Sequence, residues 1–144
     1  MQIAFSQSVI GWEAAATAAR AAVAHANSLG TSVNVAVVDA SGTLAAFLRM
    51  PGAPLHSVDI AIDKAYTAVS FGLPTHQWAA ALQNHSQAVR EGIVLRPRFV
   101  AFGGGLPILA GGQRIGAIGV SGGSEEQDQV IAQAGLDALK HAAP

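Results

Sequence analysis

Four groups of residues in this 144-residue chain are of types and spacings that can do chemistry. The first is Ser121-Gly122-Gly123-Ser124, which joins a Val/Ile-rich segment to an acidic helix start, Glu125-Glu126. Free N–H groups and a helix dipole at such a junction favour a carboxylate or phosphate. The structural alternative is a tight turn plus a helix cap. The second is Arg49, at the end of an apolar run and before Met50-Pro51-Gly52. A guanidinium there can clamp a carboxylate with two parallel hydrogen bonds. It can equally serve a salt bridge, with Asp39 or Asp63. The third is Lys64 with Thr67, three residues apart and so on one helical face. Desolvation lowers the pKa of a half-buried lysine towards that of a useful base or Schiff-base nucleophile. Pairing with a carboxylate is the structural alternative. Lys64 and Thr67 can together address one ligand or one backbone carbonyl. The fourth is Gly103-Gly104-Gly105, followed by Leu106-Pro107-Ile108. Gly104 and Gly105 mark closely approached backbone beside the anion-friendly turn.

Several chemistries are excluded or weakened. There is no cysteine, hence no disulfide, thiolate metal site or cysteine nucleophile. The five histidines, His25, His56, His76, His85 and His141, show no H-E-x-x-H or comparable spacing, so no preformed zinc site is expected. No Gly-Lys-Ser/Thr follows either glycine cluster, and Gly103-Gly104-Gly105 leads into a strand rather than a helix. Neither a Walker loop nor a Rossmann fingerprint is present, and no nucleotide is expected. Gly119-Val120-Ser121-Gly122-Gly123 is not a hydrolase elbow, because no helix starts at the serine. Net charge is −1 with no basic run, which argues against nucleic acid.

The elements that must position these residues follow from periodicity. Trp12, Ala16, Ala19, Val23 and Ala26 recur at helical spacing over about 10–29, and Gly30 supplies the stop. Residues 32–39 alternate as a strand, Asp39-Ala40-Ser41-Gly42 turns, and 43–49 returns as a hairpin. A second helix is predicted over 56–71, with Ala61, Ala65 and Ala68 as a small-residue stripe. Thr75 can cap a shorter helix containing Trp78 and Leu82. Residues 84–98 are least regular, with a short helix around Ala88. Residues 99–102, 106–110 and 114–121 read as strands. Ser124-Glu125-Glu126-Gln127 opens a last helix, to about His141, with a capping box. The expected fold is α+β: an antiparallel sheet of about five strands flanked by helices, in the order α-β-β-α-α-β-β-β-α. At this length one domain, 1–144, is expected.

Hydrophobic residues make up 51% of the chain and charged residues only 12%. So little charge leaves apolar surface to cover, and self-association into a homo-oligomer is expected. No run approaches a transmembrane span. Ala24-His25-Ala26 lacks the basic and apolar regions of a signal peptide, so a cytoplasmic location without membrane contact is expected.

The ordered motifs are similar to those of one family. Val35-Ala36-Val37-Val38-Asp39-Ala40-Ser41-Gly42 with Leu48-Arg49-Met50 resembles the opening of the GlcG/HbpS family. Lys64-Ala65-Tyr66-Thr67-Ala68 resembles its K-A-x-T-A helix. Phe102 to Ile108 and Gly116 to Gly123 resemble its other two signatures, and Asp128, Ile131, Ala132 and Gly135 continue the match. The resemblance implies a helix-flanked antiparallel sheet, commonly assembled into oligomers. It also implies a ligand. Members include haem-binding and haem-degrading sensor proteins, proteins encoded beside glycolate oxidase, and a domain attached to corrinoid adenosyltransferases. Haem needs one or two axial ligands, commonly His, Met or Tyr. His56 is best placed, at the start of the second helix and at i, i+4, i+8 with Ile60 and Lys64. His76 and His85 follow, then Met50 and Tyr66. Two functions stand. One is a binder of haem, or a similar carboxylate-bearing molecule, in an apolar cleft, held by Arg49, Lys64, Thr67, Gly104, Gly105, Ser121, Gly122 and Gly123. The other is an isomerase, hydratase or hydrolase of small carboxylic acids, with Lys64 as catalytic base and Arg49 orienting the carboxylate.

Overall fold

The computed structural model describes residues 1–142. Helix α1 (Trp12–Ser28) turns one alanine face inward, with Ala15, Ala18, Ala19, Ala22 and Ala26 all buried. Strands β1 (Asn34–Asp39) and β2 (Leu44–Arg49) form the expected hairpin. Its turn is tied by Asp39, whose Oδ1 accepts from Ser41 N–H at 2.8 Å and Thr43 N–H at 3.1 Å. Helix α2 (Ser57–Phe71) ends at left-handed Gly72. Helix α3 (Trp78–Ala81) is a single turn between two 3-10 turns, and α4 (Gln87–Ile93) is capped by Ser86. Strands β3 (Gly105–Ala110) and β4 (Gln113–Ser121) make a second hairpin. Helix α5 (Glu125–Asp137) opens on the expected capping box of Ser124 and Gln127.

The sheet has four antiparallel strands in the order β2-β1-β4-β3. Helices α1 and α5 lie side by side on one face, over Val33, Val35, Val37, Ile118 and Val120. Helix α2 covers the other face, over Ala36, Val38 and Ala117. Covered on both faces, β1 is buried at every position from Asn34 to Val38, although its sequence alternates. No helix among the described residues is long and apolar enough to cross a membrane.

Four expectations are corrected. The sheet has four strands, not about five, because 99–102 forms no ladder. Its backbone is held by side chains instead: Val100 N–H donates to Thr67 Oγ1 at 3.1 Å, and the adjoining Gly103 N–H to Glu125 Oε1 at 2.7 Å. Thr75 does not cap a helix; its hydroxyl is buried and accepts from Gly105 N–H at 2.8 Å. The segment after it breaks into 3-10 turns around α3 instead of one short helix. Helix α5 ends at Asp137, and the residues up to His141 form turns.

Candidate functional site at one end of the sheet

The register brings most of the singled-out residues to one end of the sheet. Asn34 opens β1 and lies opposite Arg49 of β2 on one side and Ser121 of β4 on the other. Gly104 follows on the far side, its carbonyl accepting from Val120 N–H at 2.9 Å. The turn after β4 and the loop after β2 also meet here. A Cβ on Gly122, whose φ is +137°, would lie 2.7 Å from Ser32 O and 3.5 Å from Pro54 Cδ.

Lys64 of α2 reaches this end from beneath. It is 1% exposed. Its Nζ donates to Val120 O at 2.8 Å and to Asp128 Oδ2 at 3.0 Å, and lies 5.0 Å from the centre of the Phe102 ring. The other oxygen of Asp128 accepts from Gly123 N–H at 2.9 Å, while Ser124 N–H is taken by Gln127 Oε1 at 3.0 Å. The anion at the glycine turn is therefore the chain's own carboxylate, with Lys64 opposite it. Burial pushes the Asp128 carboxyl up and the Lys64 ammonium down, each opposed by the charge of the other. Gly104 and Gly105 make room for this lysine. A Cβ on Gly104 would lie 2.7 Å from Lys64 Nζ, and one on Gly105 2.5 Å from Lys64 O. The group joins α2, β4 and α5 and presents no open face to a substrate.

Thr67 does not share a partner with Lys64. Its hydroxyl donates to Arg98 O at 2.9 Å and accepts from Val100 N–H. His56 is exposed while Lys64 is buried, because eight residues leave their directions about 80° apart on an α-helix. His85 is exposed. His76 is half-buried beside Gly103, with its Nδ1 buried and unpartnered. Met50 Sδ accepts weakly from Val33 N–H at 3.4 Å. Arg49 has no carboxylate partner among the described residues. It donates to Asn34 Oδ1 at 3.3 Å and to Ala53 O at 2.6 Å, and Asp63 pairs with Arg98 instead.

A cavity of about 340 Å³ with an almost wholly apolar lining lies between α2 and the stretch 93–99, walled by Phe71, Ile93, Pro97 and Phe99, with Tyr66, Arg96 and Arg98 beside them. Phe71, Phe99 and Trp78 form an edge-to-face trio, with ring centres 4.9 to 5.9 Å apart. The Trp78 Nε1 is buried without a partner. Arg98 has φ +67°, the one non-glycine residue in this region among those described. It is held by Asp63 at 3.0 Å, by the Tyr66 ring at 3.5 Å and by Thr67. Backbone strain of this kind persists where the surroundings over-determine it.

Sequence reasoning missed Asn34, Asp128 as the partner of Lys64, and the arginine-rimmed cavity. Asp128 carried a faint signal as a third acid in the first turn of α5. Nothing local tied it to a lysine 64 residues earlier.

Comparison with known proteins gives consistent results. The family model described as "Haem degrading protein HbpS-like" matches residues 10–137. A 15.0 kDa protein encoded in the dhaT-dhaS intergenic region of Citrobacter freundii is 40% identical over 124 residues, covering 86% of this chain and 87% of that one. The corrinoid adenosyltransferase PduO of Salmonella typhimurium is 41% identical over 83% of this chain, which spans only 36% of that enzyme. The crystal structure of a PduOC–haem complex superposes with a TM-score of 0.84 at 37% identity, over 92% of this chain and 96% of that one.

Proposed function

The chain belongs to the HbpS-like family, and from that premise we propose that it binds haem or a similarly flat, apolar, carboxylate-bearing ligand. The observation that carries the reading is the PduOC–haem complex, whose chain matches this one at 37% identity over nearly its whole length.

The cavity beside α2 suits such a group by its apolar walls, with two arginines and a tyrosine among the lining residues. Phe71, Phe99, Ile93 and Pro97 offer apolar walls, and Arg96, which pairs with no carboxylate among the described residues, can receive a propionate. Tyr66 brings a phenol, one of the side chains that hold haem iron, whereas none of the five histidines lines the cavity. Bound haem would supply an iron centre open to redox and ligand chemistry. Arg98 is already held over Tyr66 and against Asp63.

The alternative reading, acid–base chemistry on a small carboxylic acid with Lys64 as base, lacks a path to the Lys64 Nζ. Self-association belongs to the proposal, because Leu44 and Leu48 on edge strand β2 and Leu95 beyond α4 are left exposed.

Haemin titration tests the function. A saturable Soret shift is expected, altered by Tyr66→Phe and weakened by Arg96→Ala. His56→Ala, His76→Ala and His85→Ala should leave it unchanged. Absence of any Soret change would remove haem from consideration, and a change that follows His76 would move the seat towards Gly103.

A further inference from the structure

We propose that residues 2–9 of one copy of this chain dock as a strand in an apolar groove of a second copy, and that the exchange is reciprocal. The inference rests on the self-association proposed above and names its seat. Ile3, Phe5 and Val9 alternate with Gln2, Ala4, Ser6 and Ser8, the period of a strand with one apolar face; Gln7 alone departs from it. Among the described residues, no backbone group of 1–9 bonds to another element. All nine residues are exposed, Ile3 at 88% and Phe5 at 80%. A strand with an apolar face and no neighbour is a template for pairing with another chain.

The groove that suits it lies at the base of the same segment. It has a volume of about 790 Å³ and is walled by Ala14 of α1, Ile108 and Leu109 of β3, Ile115 of β4 and Leu139 beyond α5. Its one charged lining residue among those described, Lys140, is paired with Asp137 at 2.8 Å. Residues 2–9 carry no charged side chain, so docking strands no charge on either surface. The segment does not fill its own groove. Ile10 N–H donates to Ile115 O at 2.9 Å and fixes the base of the segment at the rim. Residues 1–9 contain no Gly, Pro, Asn or Asp with which to turn back, and Ile3 and Phe5 lie in solvent. A second copy supplies the same segment from outside. Because groove and segment share a base, two copies can exchange segments about a two-fold axis and close the interface on itself. The chain exposes 7981 Å², against about 6,900 Å² for a compact monomer of 14.6 kDa, a surplus about the size of one side of a standard interface.

The groove shares no lining residue with the proposed haem cavity, so assembly and haem binding are read separately. The chain has no cysteine, so introduced pairs report the contact without background. The full chain carrying Phe5→Cys and Leu109→Cys is oxidised mildly at micromolar concentration, and the linked peptides are identified by mass. A disulfide from position 5 of one chain to position 109 of another is expected. Phe5→Cys with Ala24→Cys, exposed at the other end of α1, should give about tenfold less cross-linked product. Ile3→Ser with Phe5→Ser alters only exposed side chains outside the helices and strands, so circular dichroism should be unchanged. Light scattering over a concentration series should then show the assembly weakened about tenfold or more. A disulfide within one chain would overturn the proposal, and so would unchanged assembly of the serine variant. An assembly without preference for position 109 would overturn it too, while leaving self-association standing. A monomer at every concentration would overturn both.

Discussion

Lys64 carries its charge into the interior, and three groups offset that cost: Asp128, Val120 O and the face of Phe102. Removing one member of a buried ion pair strands the other and typically costs about 3–5 kcal/mol. Lys64→Met and Asp128→Asn should each lower the unfolding free energy, measured by urea melts, by an amount in that range. Removing both charges in Lys64→Met with Asp128→Leu should recover part of the loss. Recovery will be incomplete, since Gly123 N–H and Val120 O also lose partners. The pH dependence has a defined sign. Lys64 has a folded pKa below its ordinary 10.5, so between those values the unfolded chain holds more protons and stability rises with pH. Asp128 has a folded pKa above its ordinary 3.8, so in that acidic window the folded chain holds more protons and stability falls as pH rises. Relative to Lys64→Met, the unmodified protein should gain stability on the alkaline side, as measured by urea melts at a series of pH values approaching the ordinary lysine pKa.

At the scale of elements, the alanine stripe of α2 and the glycines of β4 act as one feature. A Cβ on Gly119 would meet Ala61 O and lie 2.6 Å from Ala65 N, so the helix rests on the strand with no side chain between them. Gly119→Ala must push α2 away from the sheet. Overpacking of this kind costs about 1–3 kcal/mol, and the upper end is expected because the obstacle is backbone. Thermal unfolding would show it. The capping box of α5 makes a smaller contribution. Ser124→Ala should lower stability by about 1 kcal/mol. Loss of the cap also frees the turn that presents Gly123 to Asp128, so amide exchange at Gly123 should quicken. The long helices and the two hairpins were legible because their signals are local: periodicity, Gly stops, an Asx turn, a capping box. The stretch 75–102 was not. Thr75 and Thr67, read as a cap and a ligand group, bond instead to backbone 30 or more residues away.

At the scale of the molecule, the surface is larger than its mass calls for. A compact monomer of 14.6 kDa exposes about 6,900 Å². This chain exposes 7981 Å². The excess is of the size that one side of a standard interface buries. Its sources are visible: residues 1–9 are exposed throughout, with Ile3 88% and Phe5 80% accessible, and so are most residues of 83–98, with Leu95 82% accessible. Light scattering at micromolar concentration should therefore report a mass above 14.6 kDa. Phe5→Ser with Leu95→Ser should shift it towards the monomer. By itself the sequence determined the helix-flanked antiparallel sheet, the family and the glycine turn built for an anion, since short-range pattern and ordered motifs suffice for these. Only the tertiary structure decided which anion that turn holds. Asp128 lies 64 residues from Lys64, and the strand order β2-β1-β4-β3 is what brings them together at the glycine turn, filling with the chain's own carboxylate the place where a ligand was expected.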